Sequence, residues 1–166
     1  YKKSLRKIYC RKEKCHYFTM YDLEGGVVVV QLTTTECLQL GYEDNINGEL
    51  TKNGAYIVRR EKERLDCVLI STGTDFTTTY LISEELRSKG IDSRIVSMPS
   101  MELFLEQTEE YQNQVIPENA KVFTIEASAT LPWYRFASKG CAIGIDKFGC
   151  SGLKNDVLEK VGFDYE

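Results

Sequence analysis

The run Asp66-Cys67-Val68-Leu69-Ile70-Ser71 constrains this chain more than any other feature. Its middle residues are apolar without alternation, the pattern of a strand buried on both faces in a parallel sheet with helices on each side. The run leads through Ser71-Thr72-Gly73-Thr74-Asp75 into a helical stretch from about Phe76 to Lys89. Thr74 or Asp75 supplies the N-cap, Arg87 and Lys89 suit the last turn, and Gly90 sits where a C-terminal glycine belongs.

The alternation continues along the chain. Residues 91–97 read as the next strand, Pro99-Ser100 opens a helix over about 101–114, and Pro117 prevents its continuation. Residues 121–126 form a third strand of the parallel type. Pro132 opens a short helix through Phe136, 141–146 is a final strand, and 153–160 a final helix. Ahead of these, Ala55-Tyr56-Ile57-Val58 is a short strand with a charged exit over 59–64. Strands alternating with helices of this length imply an α/β fold with helices on both sheet faces.

The first third reads differently. Residues 1–26 show no sustained period and end at Gly25-Gly26, whereas 27–35 is β-branched and strand-like. Gly41, Asn45, Asn47, Gly48, Asn53 and Gly54 mark a connecting stretch. The expected organisation is therefore a basic extension and linker over 1–53, or the end of a preceding domain, followed by an α/β domain over 54–166. A chain of 166 residues can bury roughly two-thirds of its unfolded surface and needs no metal or disulfide to fold. Its longest apolar runs fall far short of the ~20 residues of a spanning helix. A start at Tyr1, with no apolar stretch behind it, argues against a signal peptide and for a cleavage or expression boundary.

Charge limits the partners. The first 14 residues carry seven Lys or Arg against one acid; since the whole is −4, the remaining 152 sum to −10. An acidic body does not suit a phosphate backbone, and the basic arm lacks a nucleic-acid-binding motif, so no nucleic acid and no membrane is expected as a partner. The six cysteines (Cys10, Cys15, Cys37, Cys67, Cys141, Cys150) have no framework spacing and read as reduced cytoplasmic thiols, with Cys67 and Cys141 as small buried hydrophobes. Cys10, Cys15 and His16 cluster, but no second ligand pair follows to complete a zinc site.

No self-contained active site emerges from the residue chemistry. The one histidine, His16, lies in the basic arm, which leaves the α/β body without an imidazole base. The turn Thr72, Gly73, Thr74 and Asp75 stands at the carboxyl end of a strand, where open α/β sheets place ligands, and is a candidate ligand or anion turn. It has one glycine and lacks both the dinucleotide fingerprint and the lysine of a phosphate loop, so a plain helix cap is the simpler reading. Glu126 and Asp146, at the ends of later strands, could pair as carboxylates or could bind backbone. Trp133-Tyr134-Arg135-Phe136 suits packing better than stacking on a ligand. Catalytic, cofactor-binding and metal-binding residues are accordingly expected to be none.

Four ordered motifs carry a resemblance. Asp66-Cys-Val-Leu-Ile-Ser-Thr-Gly-Thr-Asp75 resembles the strand and Thr-Gly-Ser-Glu turn that open the C-terminal domain of transketolases. Residues 94–107, Arg-Ile-Val-Ser-Met-Pro-Ser-Met-Glu-Leu-Phe-Leu-Glu-Gln, with Glu110-Tyr111 and Val115-Ile116-Pro117, are similar to that family's Val-Ser-Met-Pro-Ser-Trp-Glu-Leu-Phe stretch. Ile125-Glu126-Ala127 with Trp133-Tyr134 resembles its Glu-Ala turn and aromatic helix. Gly144-Ile-Asp-Lys-Phe-Gly-Cys-Ser151 resembles its Asp-x-Phe-Gly-Ala-Ser motif, and Val161-Gly162-Phe163 its terminal Phe-Gly.

This resemblance implies a three-layer α/β/α domain with a mixed, mostly parallel five-stranded sheet. It implies a parent transferase of the pentose phosphate pathway, a cytoplasmic homodimer using thiamine diphosphate and a divalent metal (Mg or Ca) to move two-carbon ketol units between sugar phosphates. The C-terminal domain supplies structure and dimer packing rather than chemistry, so this chain alone is expected to be inactive and to bind no cofactor; its partners are the remaining transketolase domains or subunit. In the family an arginine at the end of the middle domain holds the substrate phosphate; the matching stretch here is Val30 to Thr35, and either the alignment slips there or Thr34 replaces that arginine in a divergent transketolase-like parent. A neutral hydroxyl in place of a guanidinium fork weakens phosphate binding by about 2 kcal/mol. The alternatives are a stand-alone ligand-binding or regulatory module, or one subunit of a split enzyme.

Overall fold

The computed structural model describes residues 5–8, 18–23, 26–31, 50–73 and 75–163. The expected strand–helix alternation organises the larger part. Strands β4 (Tyr56–Arg59), β5 (Cys67–Ser71), β6 (Ser93–Ser97), β7 (Val122–Ile125) and β8 (Cys141–Ile143) form one sheet in the order β4-β6-β5-β7-β8. β5 pairs in parallel with β6 and β7, β7 pairs in parallel with β8, and only β4 runs antiparallel, along β6. The sheet is mixed, mostly parallel and five-stranded.

Side-chain parity sorts the helices onto two faces. Val68, Ile70, Val96 and Val122 point to one side, where they meet Phe104 of α2 (Met101–Leu105), Val115 of α3 (Glu109–Val115), Trp133 and Phe136. On the other side, Ile95 meets Phe76 and Tyr80 of α1 (Asp75–Ser88), while Ile125 meets Ile82 of α1 and Val161 of α4 (Lys154–Val161). All five residues of β5 are buried because β5 is central and covered on both faces. That is the three-layer α/β/α arrangement.

α1 ends as the sequence implies. Gly90 takes φ +79°, Ile91 N–H bonds Leu86 C=O at 3.0 Å and Gly90 N–H bonds Arg87 C=O at 3.0 Å, the paired bonds of a left-handed helix stop. Gly54, also at positive φ, lies under α2. A Cβ there would stand 2.1 Å from the Phe104 nitrogen, so only glycine permits this approach.

Other elements differ from expectation. The single helix over 101–114 is two: Thr108 adopts extended backbone and its Oγ1 accepts the Tyr111 N–H at 3.2 Å, starting α3 afresh. The aromatic helix is a short 3-10 turn, Leu131–Trp133. β8 stops at Ile143, because Ile145 N–H turns away to Ser128 C=O at 2.8 Å. Within the stretch read as patternless, β1 (Leu5–Ile8) and β2 (Phe18–Leu23) pair antiparallel and join β3 (Gly26–Gln31) in a separate three-stranded sheet, order β1-β2-β3.

Candidate functional site

The chain leaves β5 for β6 on one side and later returns to β7 on the other, which makes the carboxyl ends of β5 and β7 the topological switch point of the sheet. Open α/β sheets offer their ligand crevice here. Pairing of β5 with β7 reaches Ile70 opposite Thr124. Beyond that register, side chains replace backbone pairing. The Thr72 N–H donates to Glu126 Oε1, and the Ala127 N–H donates to Asp75 Oδ2 at 2.7 Å. Each turn thus gives its amide to the other turn's carboxyl group.

Of the candidate turn residues, Thr72, Gly73 and Asp75 lie at this crevice, whereas Thr74 falls outside the described residues. Gly73 takes φ +55° with open space where a Cβ would be. Glu126 is 7% exposed. Burial pushes its carboxyl group up to about 8, the Asp75 charge pushes the same way, and the Thr72 amide pulls against both. The Ser71 and Thr124 hydroxyls nearby on β5 and β7 are fully buried and have no hydrogen-bond partner. A phosphate approaching this turn would meet two carboxyl groups and an amide already engaged, so the local chemistry favours a hydrogen-bond donor over an anion. Among the described residues, no group of three or more His, Cys, Asp or Glu is placed to hold a metal ion.

Glu126 and Asp146 do not share a partner. Asp146 accepts the Thr130 N–H at 2.8 Å and the Thr130 hydroxyl at 2.6 Å, and these bonds hold its carboxyl below the usual range. Phe136 is buried against Phe104 and Trp133 against Phe136, as packing required, while Tyr134 and Arg135 face solvent. Cys67 is buried, but Cys141, on the edge strand β8, is exposed rather than buried as expected. Thr34, Cys10, Cys15 and His16 lie outside the described residues.

At the opposite end of the sheet stands a group the sequence reading passed over. Arg94 of β6 is 5% exposed. Its Nε and Nη2 bind both oxygens of Glu61 at 2.8 and 2.5 Å, and its Nη1 donates to the Gln114 and Val115 carbonyls at 2.9 and 3.2 Å. The Arg94 hydrogen bond holds the Glu61 carboxyl below its ordinary range. The signal was available: an arginine inside an apolar strand must find a carboxylate. Beside it, one oxygen of Asp92 gathers the Lys62 and Glu63 amides at 2.6 and 2.8 Å.

The comparisons with known proteins cover the stretch that carries those motifs. The family described as the transketolase-like TK C-terminal domain matches residues 54–164. A transketolase of Aquifex aeolicus is 32% identical over 145 residues, covering 86% of this chain and 21% of that protein. A solved transketolase from Campylobacter jejuni superposes with a TM-score of 0.64 at 28% identity, over 82% of this chain and 20% of that one. A chain described as "Split gene transketolase, inactive beta4 tetramer" shares the fold, with a TM-score of 0.53 at 16% identity over 67% of this chain and 38% of its own length. The chain spans about a fifth of the length of the curated relatives it matches.

Proposed function

Because this chain belongs to the transketolase family, as its C-terminal domain, we propose that it serves a transketolase or transketolase-like enzyme as a non-catalytic structural domain. The parent transfers two-carbon ketol units between sugar phosphates, and the remaining domains or a partner subunit supply the cofactor site. The observation that carries this reading is the family match over 54–164 in a chain spanning a fifth of its relatives. In this reading 54–166 is the domain, and 1–53 is an extension or the end of what precedes it.

Thiamine diphosphate with Mg2+ or Ca2+ supplies the parent's carbanion chemistry when bound. The described residues of this chain do not fit that group. The switch-point turn presents the carboxyls of Glu126 and Asp75 where a diphosphate needs free amides or cations, and no metal-ligand cluster stands among the described residues. No step of the transfer is therefore assigned to this chain. Packing in a homodimer and residence in the cytoplasm belong to the same proposal; among the described residues, no helix is long and apolar enough to cross a membrane.

A calorimetric titration of the 166-residue chain with thiamine diphosphate and Mg2+ tests the reading. No heat of binding is expected, and micromolar binding would overturn the domain assignment. A second reading makes this chain one subunit of a split enzyme, favoured by the fold likeness to the split-gene chain. A stand-alone module using the turn 72–75 predicts instead a ligand that protects Thr72 and Asp75 in solution. Thr34 in place of the phosphate arginine weakens sugar-phosphate recognition in either enzyme reading.

A further inference from the structure

The crevice at the switch point holds a polar arrangement that the proposed function does not use. Glu126 is almost wholly buried at the end of β7, and its carboxyl group receives the Thr72 amide from the turn after β5. Asp75, at the first position of α1, receives the Ala127 amide from the turn after β7. The two bonds run in opposite directions across one gap. We propose that the carboxyl groups of Glu126 and Asp75 form a proton-dependent clasp between the turns after β5 and β7, shut while Glu126 carries its proton and sprung when it ionises.

Among the described residues, the groups around Glu126 offer its negative charge the Thr72 amide and no cation. From α1 the facing charge is Asp75, of the same sign. β8 contributes Ile143, whose carbonyl accepts the Glu126 N–H at 3.1 Å, followed by Gly144, and neither carries charge. The turn after β7 contributes Ala127, Ser128 and Thr130; the acid beyond it, Asp146, is bonded to Thr130. Ser71 of β5 and Met98, the residue after β6, are joined by the Met98 N–H to Ser71 C=O bond at 3.1 Å. The sheet's two arginines are committed elsewhere, Arg94 to Glu61 and Arg59 to Glu84.

Neutral Glu126 therefore sits in this crevice at little cost, and burial raises its affinity for the proton until release occurs near pH 8. Once ionised, it stands in a poorly hydrated gap beside a second carboxylate. The Thr72 amide is one donor and cannot offset both desolvation and repulsion. Separating the turns lets water reach Glu126, and the Asp75–Ala127 bond opens with it because both bonds span the same gap. The clasp belongs to the domain itself and does not depend on the parent's activity.

The test is amide hydrogen exchange by NMR on the full chain from about pH 6 to about pH 9.5, with the Glu126 carboxyl carbon followed in parallel. Protection at Thr72 and Ala127 is expected to fall together, roughly tenfold or more, with a midpoint matching the Glu126 titration. In Glu126→Gln both amides should stay protected throughout. In Asp75→Asn, which keeps an acceptor for Ala127, the Glu126 midpoint should move to lower pH and the loss of protection should shrink. Protection at Thr72 that holds or rises as Glu126 ionises would overturn the proposal. So would loss at one amide alone, an ordinary carboxyl midpoint for Glu126, or the same loss in Glu126→Gln.

Discussion

The two ends of the five-stranded sheet solve one problem with opposite electrostatics. At the amino end of β6, Arg94 meets Glu61 through two bonds and spends its remaining donor on the carbonyls that close α3. At the carboxyl ends of β5 and β7, two carboxyl groups each take a backbone amide from the other turn. The first arrangement favours the charged form of its acid, and the second favours the neutral form. A loop can therefore be tied to a sheet end by matched charge or by a carboxyl group kept protonated, and the choice decides how the tie responds to pH.

Removing one partner at the amino end should have the largest effect. Arg94→Ala leaves the Glu61 carboxylate and two α3 carbonyls without their donor, and is expected to cost about 4 kcal/mol in chemical denaturation. A loss below about 1 kcal/mol would show that water replaces the guanidinium at little cost. At the carboxyl end the sign reverses. A rise from 4.5 to about 8 corresponds to no more than ~5 kcal/mol. Hydration of the opened turn brings the gain from Glu126→Gln above pH 8 below that ceiling. A destabilised Glu126→Gln at that pH would mean that the ionised carboxyl is well accommodated. Smallest is Thr108→Ala, expected to cost about 1 kcal/mol by removing the cap of α3. An unchanged unfolding midpoint would mean that packing of Tyr111 and Val115 alone starts that helix.

Much of this molecule was legible in the sequence, because β5 and β7 lack alternation and because Gly90 and Pro117 mark stops whose physics is local. The split between α2 and α3 was missed, since Thr108 is equally compatible with continuing a helix and with capping a new one. β1 and β2 were missed because strands of four and six residues, one broken by Arg6 and Lys7 and the other mixing polar and apolar side chains, carry little periodicity. Within the site, the position of Thr72, Gly73 and Asp75 followed from strand–turn–helix order. The exchange of amides between Thr72–Glu126 and Ala127–Asp75 spans residues 54 and 52 apart in sequence and could not be read locally. Arg94 was readable as a buried charge, though its partner, 33 residues away, was not.

The pH dependence of unfolding tests the contrast most directly. Glu126 has its folded-state proton affinity raised above the unfolded value, so between about pH 4.5 and about pH 8 the native state holds a proton that the unfolded chain has released. Stability must fall across that window as pH rises. The acids held low, Glu61, Asp66, Glu85, Asp92 and Asp146, contribute with the opposite sign and lose their stabilisation only as pH falls below the ordinary carboxyl range. Urea unfolding at about pH 5, 6.5 and 8 should therefore give a declining stability for the native chain and a nearly flat one for Glu126→Gln. A native chain whose stability is flat or rises over the same window, or a variant that declines just as steeply, would contradict the account.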